Sequence, residues 1–116
     1  KADAPSGTAL ATAKAMGKSK GKPFVTAQTK KENIPCTRGG QVEGIAIHSV
    51  RLPGFVASEE VVFGGQGQTL SIRHDTINRE CFVPGVILAV KEVIKIKGLV
   101  YGLEKLLHLG GDNEVV

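Results

Sequence analysis

Long apolar runs are missing from this chain of 116 residues. No segment approaches the roughly 20 consecutive apolar residues that a membrane-spanning helix needs. The first residues also lack the basic and then apolar pattern of a secretory signal peptide. The sequence therefore argues against a membrane protein and predicts no membrane partner.

Cysteine is scarce, with Cys36 and Cys81 as the only two. They form no CxxC pair, and in a chain without a signal peptide they are typical of free thiols in a reducing cytosol. This favours a cytoplasmic location, although a disulfide between them stays possible. Together with His48 and His74 they form no metal-ligand spacing, so we predict no metal site.

A nucleotide-binding glycine loop is missing as well, although the chain has 15 glycines. None of them forms a GxGxxG motif between a strand and a helix. They are instead typical of turns, and they cluster at positions 39, 40, 44, 64, 65 and 67.

Negative charge is rare in the first third of the chain. Residues 1–38 carry eight lysines and arginines against two acidic residues, within a net charge of +4. A basic segment can indicate nucleic-acid binding. Phe24 is the only aromatic residue in this segment, however, and no RNA or DNA motif is present. We favour a solvated loop around an anionic substrate site and predict no nucleic-acid partner, with a nucleic-acid binder as the alternative.

The length of the chain predicts one domain over residues 1–116, because a chain of this size is large enough for a single core but not for two. The Ala-rich stretch 6–17 predicts a helix that ends at Gly17, followed by a long connection of the kind that is usually functional. The remaining expected elements are a short strand near 24–26, a strand at 42–52, a hairpin of strands 59–63 and 69–74, a helix at 79–97 and a short helix at 103–107.

This order of elements predicts an α+β fold with one mixed, mostly antiparallel sheet and helices on one face. The other face of the sheet would be exposed in a monomer, where Ile45 and Ile47 would form an apolar patch. We therefore expect that face to be used for oligomerisation.

The first ten residues hold the strongest functional signal. Pro5, Ser6 and Thr8 suit the entrance of a helix, where unpaired backbone N–H groups and the positive end of the helix dipole favour anions. Lys1 lies a few residues upstream. The segment predicts a site for a carboxylate or phosphate, and simple capping of the helix by Ser6 is the alternative.

The string Lys1-Ala2-Asp3-Ala4-Pro5-Ser6-Gly7-Thr8-Ala9 resembles the central motif of the dihydrodipicolinate reductase family of lysine and diaminopimelate synthesis. Four further blocks, in the same order as in that family, extend the resemblance over nearly the whole chain. They are residues 38–54 with Arg38-Gly39-Gly40 and His48-Ser49-Val50-Arg51, residues 60–75, residues 77–86, and residues 98–103.

The resemblance implies the C-terminal substrate-binding and tetramerisation domain of an oxidoreductase. Such an enzyme reduces a cyclic dicarboxylate, 4-hydroxy-tetrahydrodipicolinate, with NADPH or NADH as its cofactor. The resemblance also implies a homotetramer, and an N-terminal dinucleotide-binding domain that this chain does not include. A non-catalytic tetramerising or anion-binding scaffold of the same fold is the alternative.

The resemblance also implies roles for particular residues. Lys1 would be catalytic, supplying positive charge and a proton beside the substrate, while Ser6, Gly7 and Thr8 would bind a substrate carboxylate. Arg79 and Phe82 would lie near the nicotinamide of the cofactor, with a place in the core as the alternative for Phe82.

Two features depart from the family pattern. An adjacent His-His pair that precedes the motif lysine in the family is not part of this chain, and Ser58 stands where related sequences often carry His. We assign Ser58 no role. Because the His-His pair and the dinucleotide-binding domain are missing, we expect the chain to fold and assemble but to catalyse poorly or not at all by itself.

Overall fold

The computed structural model describes residues 3–107. They fall into two compact units, an N-terminal unit that ends at Phe55 and a C-terminal unit that begins at Val56. Each unit has its own pair of strands and at least one helix. The assignment of residues 1–116 to one domain stays a prediction.

Helix α1, Gly7–Lys20, opens the N-terminal unit. It continues one turn beyond the predicted end at Gly17, so that prediction was wrong. Gly17 lies inside the helix, where its backbone packs against the side chain of Glu43 and a larger residue would not fit. It ends instead at Gly21, which adopts a left-handed φ of 72° and donates its N–H to the Gly17 and Lys18 carbonyls.

Two three-residue strands follow, β1 (Gly40–Val42) and β2 (Ile45–Ile47), paired antiparallel. The prediction of one strand across this region was wrong. Glu43 and Gly44 have φ values of 52° and 75°, which fold the chain back in a tight hairpin turn. The β2 isoleucines are half-buried in this unit, so they do not form the exposed patch that the sequence suggested.

The connection between α1 and β1 contains no strand, although one was expected near residues 24–26. It is held to the hairpin turn by individual bonds instead. The Phe24 N–H donates to the Glu43 carbonyl over 2.8 Å, and the Thr26 hydroxyl donates to the Gly44 carbonyl. Arg38 Nη2 donates to the Ala27 carbonyl over 3.2 Å. The connection is therefore an ordered, attached loop.

The C-terminal unit begins with a long hairpin of β3 (Ala57–Gly65) and β4 (Gln68–Thr76), as predicted but longer at its ends. Val61 pairs with Ile72, and Phe63 with Leu70, so these four apolar side chains share one face. The other face is polar, with Arg73 opposite Glu60.

The predicted α+β fold is confirmed, and its strand pairing is antiparallel. Within residues 3–107 the strands form two separate two-stranded sheets, β1–β2 and β3–β4, where one sheet was expected. The predicted helix at 79–97 begins as a 3-10 turn, Arg79–Phe82, and continues as α2, Val83–Val93. The short helix α3 spans Leu103–Leu106.

The described residues bury few side chains. Ala13 is the only buried apolar side chain among them, and Thr76 is the only buried polar one. Large apolar side chains of β4 and α2 stay exposed, among them Ile72 (60%) and Leu70 (59%). Apolar faces of this kind are typical of surfaces that pack against other protein. Over residues 3–107, no helix combines the length and the hydropathy needed to cross a bilayer.

Candidate functional site

The entrance of α1 carries the strongest candidate site. Ser6 is the N-cap, in an extended conformation, and its Oγ accepts a hydrogen bond from the Ala9 N–H over 3.2 Å. Helical bonding begins with Leu10, whose N–H donates to the Ser6 carbonyl. The N–H groups of Gly7 and Thr8 come before that point and have no hydrogen-bond acceptor within the described part of the chain.

The space in front of these two N–H groups is open. A Cβ built on Gly7 would meet no atom within 4 Å, and Thr8 is exposed. The first turn of α1 holds no acidic residue, so the positive end of the helix dipole is not neutralised locally. Two free N–H groups, one hydroxyl and an uncompensated dipole make an environment that suits a carboxylate.

The structure thus places Ser6, Gly7 and Thr8 together at one helix entrance, with Ser6 also acting as the cap. The Ser6 cap is compatible with the predicted anion site, because Ser6 Oγ bonds to the Ala9 N–H and leaves the N–H groups of Gly7 and Thr8 available. The anion site itself stays a prediction. Lys1 lies outside the described residues, and its catalytic role stays a prediction.

Arg51 also belongs to this neighbourhood, and the sequence interpretation gave it no role. Its Nη2 donates to the backbone carbonyl of Asp3 over 2.7 Å, just upstream of the helix entrance. The only signal in the sequence was that Arg51 lies within one of the resembling blocks, which does not indicate what it contacts.

Arg79 and Phe82 lie at the two ends of the 3-10 turn in the C-terminal unit. Asn78 caps that turn, with its Oδ1 accepting from the Glu80 N–H over 3.2 Å. Phe82 is 50% exposed, so within this unit it is not a core residue. An exposed ring and an exposed guanidinium on one short turn suit the flat, charged parts of a nucleotide. Their cofactor role stays a prediction.

A charged cluster lies on the polar face of the long hairpin. Arg73 binds Asp75 through two hydrogen bonds of 2.7 Å and 3.2 Å, and its Nη1 lies 3.6 Å from Glu60 Oε2. Hydrogen bonds from Arg73, and next from Ser58, lower the pKa of Asp75. The hydrogen bond to Asp75 raises the pKa of Arg73 in turn. The cluster joins the two strands through charged side chains that pair with one another.

Metal binding and cysteine chemistry have little support in residues 3–107. They contain no group of three His, Cys, Asp or Glu side chains that could hold a metal ion. Cys36 and Cys81 are free and exposed, which confirms the free-thiol interpretation.

Comparison with known proteins gives a consistent result. The family model described as "Dihydrodipicolinate reductase, C-terminus" matches residues 1–107. A 4-hydroxy-tetrahydrodipicolinate reductase from Dehalococcoides mccartyi is 56% identical over 109 residues, covering 94% of this chain and 41% of the relative. A reductase of the same name from Dictyoglomus turgidum is 56% identical over 110 residues, covering 93% and 41%.

A solved structure is also similar. The dipicolinate-bound dihydrodipicolinate reductase from Paenisporosarcina sp. TG-14 has a TM-score of 0.78 and 45% identity, covering 90% of this chain and 39% of that one. This chain thus spans about two fifths of the length of the relatives that it matches. The family match, the sequence identity and the shared fold agree with the motif at the helix entrance, and the chain belongs to the dihydrodipicolinate reductase family, in its C-terminal part.

Proposed function

We propose that this chain is the substrate-binding part of an NAD(P)H-dependent 4-hydroxy-tetrahydrodipicolinate reductase of lysine and diaminopimelate synthesis. The observation that carries the proposal is the pair of free N–H groups on Gly7 and Thr8, in open space at a helix entrance. The related enzyme that was solved with dipicolinate, a planar pyridine dicarboxylate, supports a dicarboxylate as the ligand.

The chemistry follows from the charges at this entrance. One substrate carboxylate accepts hydrogen bonds from the Gly7 and Thr8 N–H groups and from the Thr8 hydroxyl. This contact fixes the ring in one orientation, which lowers the entropic cost of bringing the reacting groups together. Lys1, two residues before Asp3, stabilises the negative charge that develops on the ring and gives it a proton.

The cofactor requires surfaces beyond this entrance. When bound, the reduced nicotinamide supplies the hydride. From this chain, Phe82 offers an exposed ring for stacking, and Arg79 offers a cation for a phosphate or carboxamide neighbour. Most of the nucleotide contacts belong, under this proposal, to an N-terminal dinucleotide-binding domain of the whole enzyme.

The apolar face of the β3–β4 hairpin is the surface that we assign to homotetramer formation. Leu70 and Ile72 are 59% and 60% exposed on it, beside Val61 and Phe63. A two-stranded hairpin is marginally stable alone and gains stability when another layer covers its apolar face. A second copy of the chain supplies such a layer by symmetry.

Calorimetric titration with pyridine-2,6-dicarboxylate tests the binding proposal. We expect saturable binding, and we expect Thr8→Val to weaken it about tenfold, because the variant removes one hydroxyl that donates to a charged group. Thr12→Val is the matched control, since it makes the same chemical change one turn further along α1. Absence of binding, or equal losses in the two variants, would contradict a carboxylate site at this entrance.

Sedimentation velocity tests the assembly proposal. We expect the chain to sediment as a tetramer and Ile72→Glu to reduce it to a smaller species, because a charge on the apolar face is costly to bury. Ser71→Glu is the control, since its side chain points to the opposite face of the same strand. Assembly that survives Ile72→Glu would show that another surface forms the contact.

A further inference from the structure

Among the described residues, the side chain of Arg51 hydrogen-bonds to the segment before the helix entrance. Arg51 Nη2 donates to the Asp3 carbonyl over 2.7 Å, across 48 residues of sequence. Its Nη1 donates to the carbonyl of its neighbour Val50 over 3.0 Å. The guanidinium is therefore held at two points, and one of its hydrogen bonds reaches the segment before the helix entrance.

The place of this bond gives it a consequence for the site. In the sequence, Asp3 lies two residues after Lys1 and three before Ser6, between the two parts of the proposed substrate site. Helix α1 fixes the segment on one side only. Without a second attachment, residues 3–5 would have to be ordered when ligand binds, and that ordering would subtract from affinity.

We propose that Arg51 is a positioning residue of the carboxylate site. It acts through the backbone carbonyl of Asp3, holds residues 3–5 in their binding conformation, and does not touch the ligand. This inference rests on the proposed function, because it takes the α1 entrance as the place where the substrate carboxylate binds.

Arginine suits this task better than lysine does. The guanidinium offers donors in a fixed planar fork, so that one nitrogen can anchor on Val50 while the other reaches Asp3. Lysine keeps the charge but offers one compact donor group. A substitution to lysine therefore separates the contribution of the geometry from that of the charge.

Arg38 provides a matched control within the same unit. Its Nη2 also donates to a backbone carbonyl, that of Ala27, over 3.2 Å, and it is also exposed. That bond holds the loop before β1 and does not involve the segment at the helix entrance. Loss of either arginine removes one positive charge, so a difference between the two variants reports position and not net charge.

The first measurement needs no ligand. Backbone ¹⁵N relaxation of the wild-type chain, Arg51→Gln and Arg38→Gln would report the order of Ala4, Ser6 and Gly7. We expect order parameters near the rigid value of about 0.85 in the wild type and a clear decrease at these amides in Arg51→Gln alone. Unchanged order at these amides in Arg51→Gln would overturn the inference.

The second measurement is titration with pyridine-2,6-dicarboxylate. We expect Arg51→Gln to bind about two- to tenfold more weakly than Arg38→Gln, and Arg51→Lys to recover part of that loss. Equal weakening in the two Gln variants would show a general effect of charge and would also overturn the inference. If Arg51→Gln does not fold, Arg51→Lys against Arg38→Lys carries the same comparison.

The two measurements separate the inference from the proposed function. If the wild-type chain binds no dicarboxylate, the proposed site is contradicted, while the relaxation data still decide whether Arg51 orders the segment. If the wild type binds but the segment is equally ordered in all variants, the site stands and the role of Arg51 is refuted.

Discussion

The close approach of α1 to the β1–β2 turn makes Gly17→Ala a sharp test of packing in the N-terminal unit. A Cβ on Gly17 would lie 2.7 Å from the Cγ and 2.8 Å from the Cβ of Glu43. Carbon atoms in contact prefer separations of about 3.5–4.0 Å, so one side must move by nearly 1 Å. Glu43 cannot move easily, because it sits in the tight turn with a φ of 52°.

Two effects oppose each other in this variant. Replacing glycine by alanine within a helix favours folding by about 1 kcal/mol. Overpacking a tight contact costs about 1–3 kcal/mol. We expect the cost of the tight contact to match or exceed the gain in helix propensity, so that Gly17→Ala destabilises the unit by about 0–2 kcal/mol. In a Glu43→Gly background the obstructing atoms are gone, and the same change should stabilise it by about 1 kcal/mol.

Hydrogen exchange at the amides of α1 measures the free energy of opening for this unit directly. Four proteins complete the cycle: the wild type, each single variant and the double variant. The expected coupling between positions 17 and 43 is about 1–3 kcal/mol, with a change of sign for Gly17→Ala between the two backgrounds. Equal stabilisation by Gly17→Ala in both backgrounds would refute the packing argument.

Further predictions concern the cap, the turn, the long hairpin and catalysis. Ser6→Ala should destabilise α1 by about 1 kcal/mol, measured by the same exchange experiment, because the Ala9 N–H loses its acceptor. Gly44→Ala should lower the free energy of unfolding by roughly 2–5 kcal/mol, since its Cβ would collide with the backbone of the facing connection. Gly21→Ala has a similar φ but open space around it, so it should lower that free energy by only about 1–2 kcal/mol. The pKa of Asp75 is lowered in the folded state, so this carboxylate contributes stability above its ordinary value near pH 4, and the contribution is lost as the pH falls. Amide protection factors in β3 and β4, which correct for the intrinsic pH dependence of exchange, should therefore decrease on acidification, and Asp75→Asn should flatten that decrease. Finally, this chain alone should not oxidise NADPH at a rate near that of an intact reductase, which absorbance at 340 nm would show.

Local patterns in the sequence were enough for several elements. The Ser6 cap, the α1 start and the β3–β4 hairpin depend on residues close together in sequence, namely a capping side chain and the glycines that join two alternating strands. These signals act within a few residues of each other, so they depend little on the rest of the chain.

The features that the sequence did not indicate depend on distant contacts. Gly17 looks like a helix end, yet α1 continues through it, and Glu43 packs there from another segment. Alternating residues at 42–52 look like one strand, yet Glu43 and Gly44 take positive φ values and reverse the chain. The carbonyls of this turn accept hydrogen bonds from Phe24 and Thr26, which belong to a distant segment. Glycine is equally typical of turns and of positions where another segment packs closely against the backbone. Only the contact made in the folded protein shows which of the two applies.

The same distinction applies to the proposed site. The anion site that we propose at the start of α1 needs only a cap, free N–H groups and a hydroxyl, and residues 6–8 supply all of these consecutively. A motif that is contiguous in sequence is therefore sufficient to predict it. The orientation of the segment before it depends on Arg51, which lies 48 residues from Asp3 and has no local signature. Substitution of Thr8 should remove part of the site itself, whereas substitution of Arg51 should leave the binding groups intact and only loosen the segment before them. Arg51→Lys should therefore recover part of the affinity, because lysine can again donate to the Asp3 carbonyl. Thr8→Val should not recover it, because valine has no hydroxyl to donate to the carboxylate.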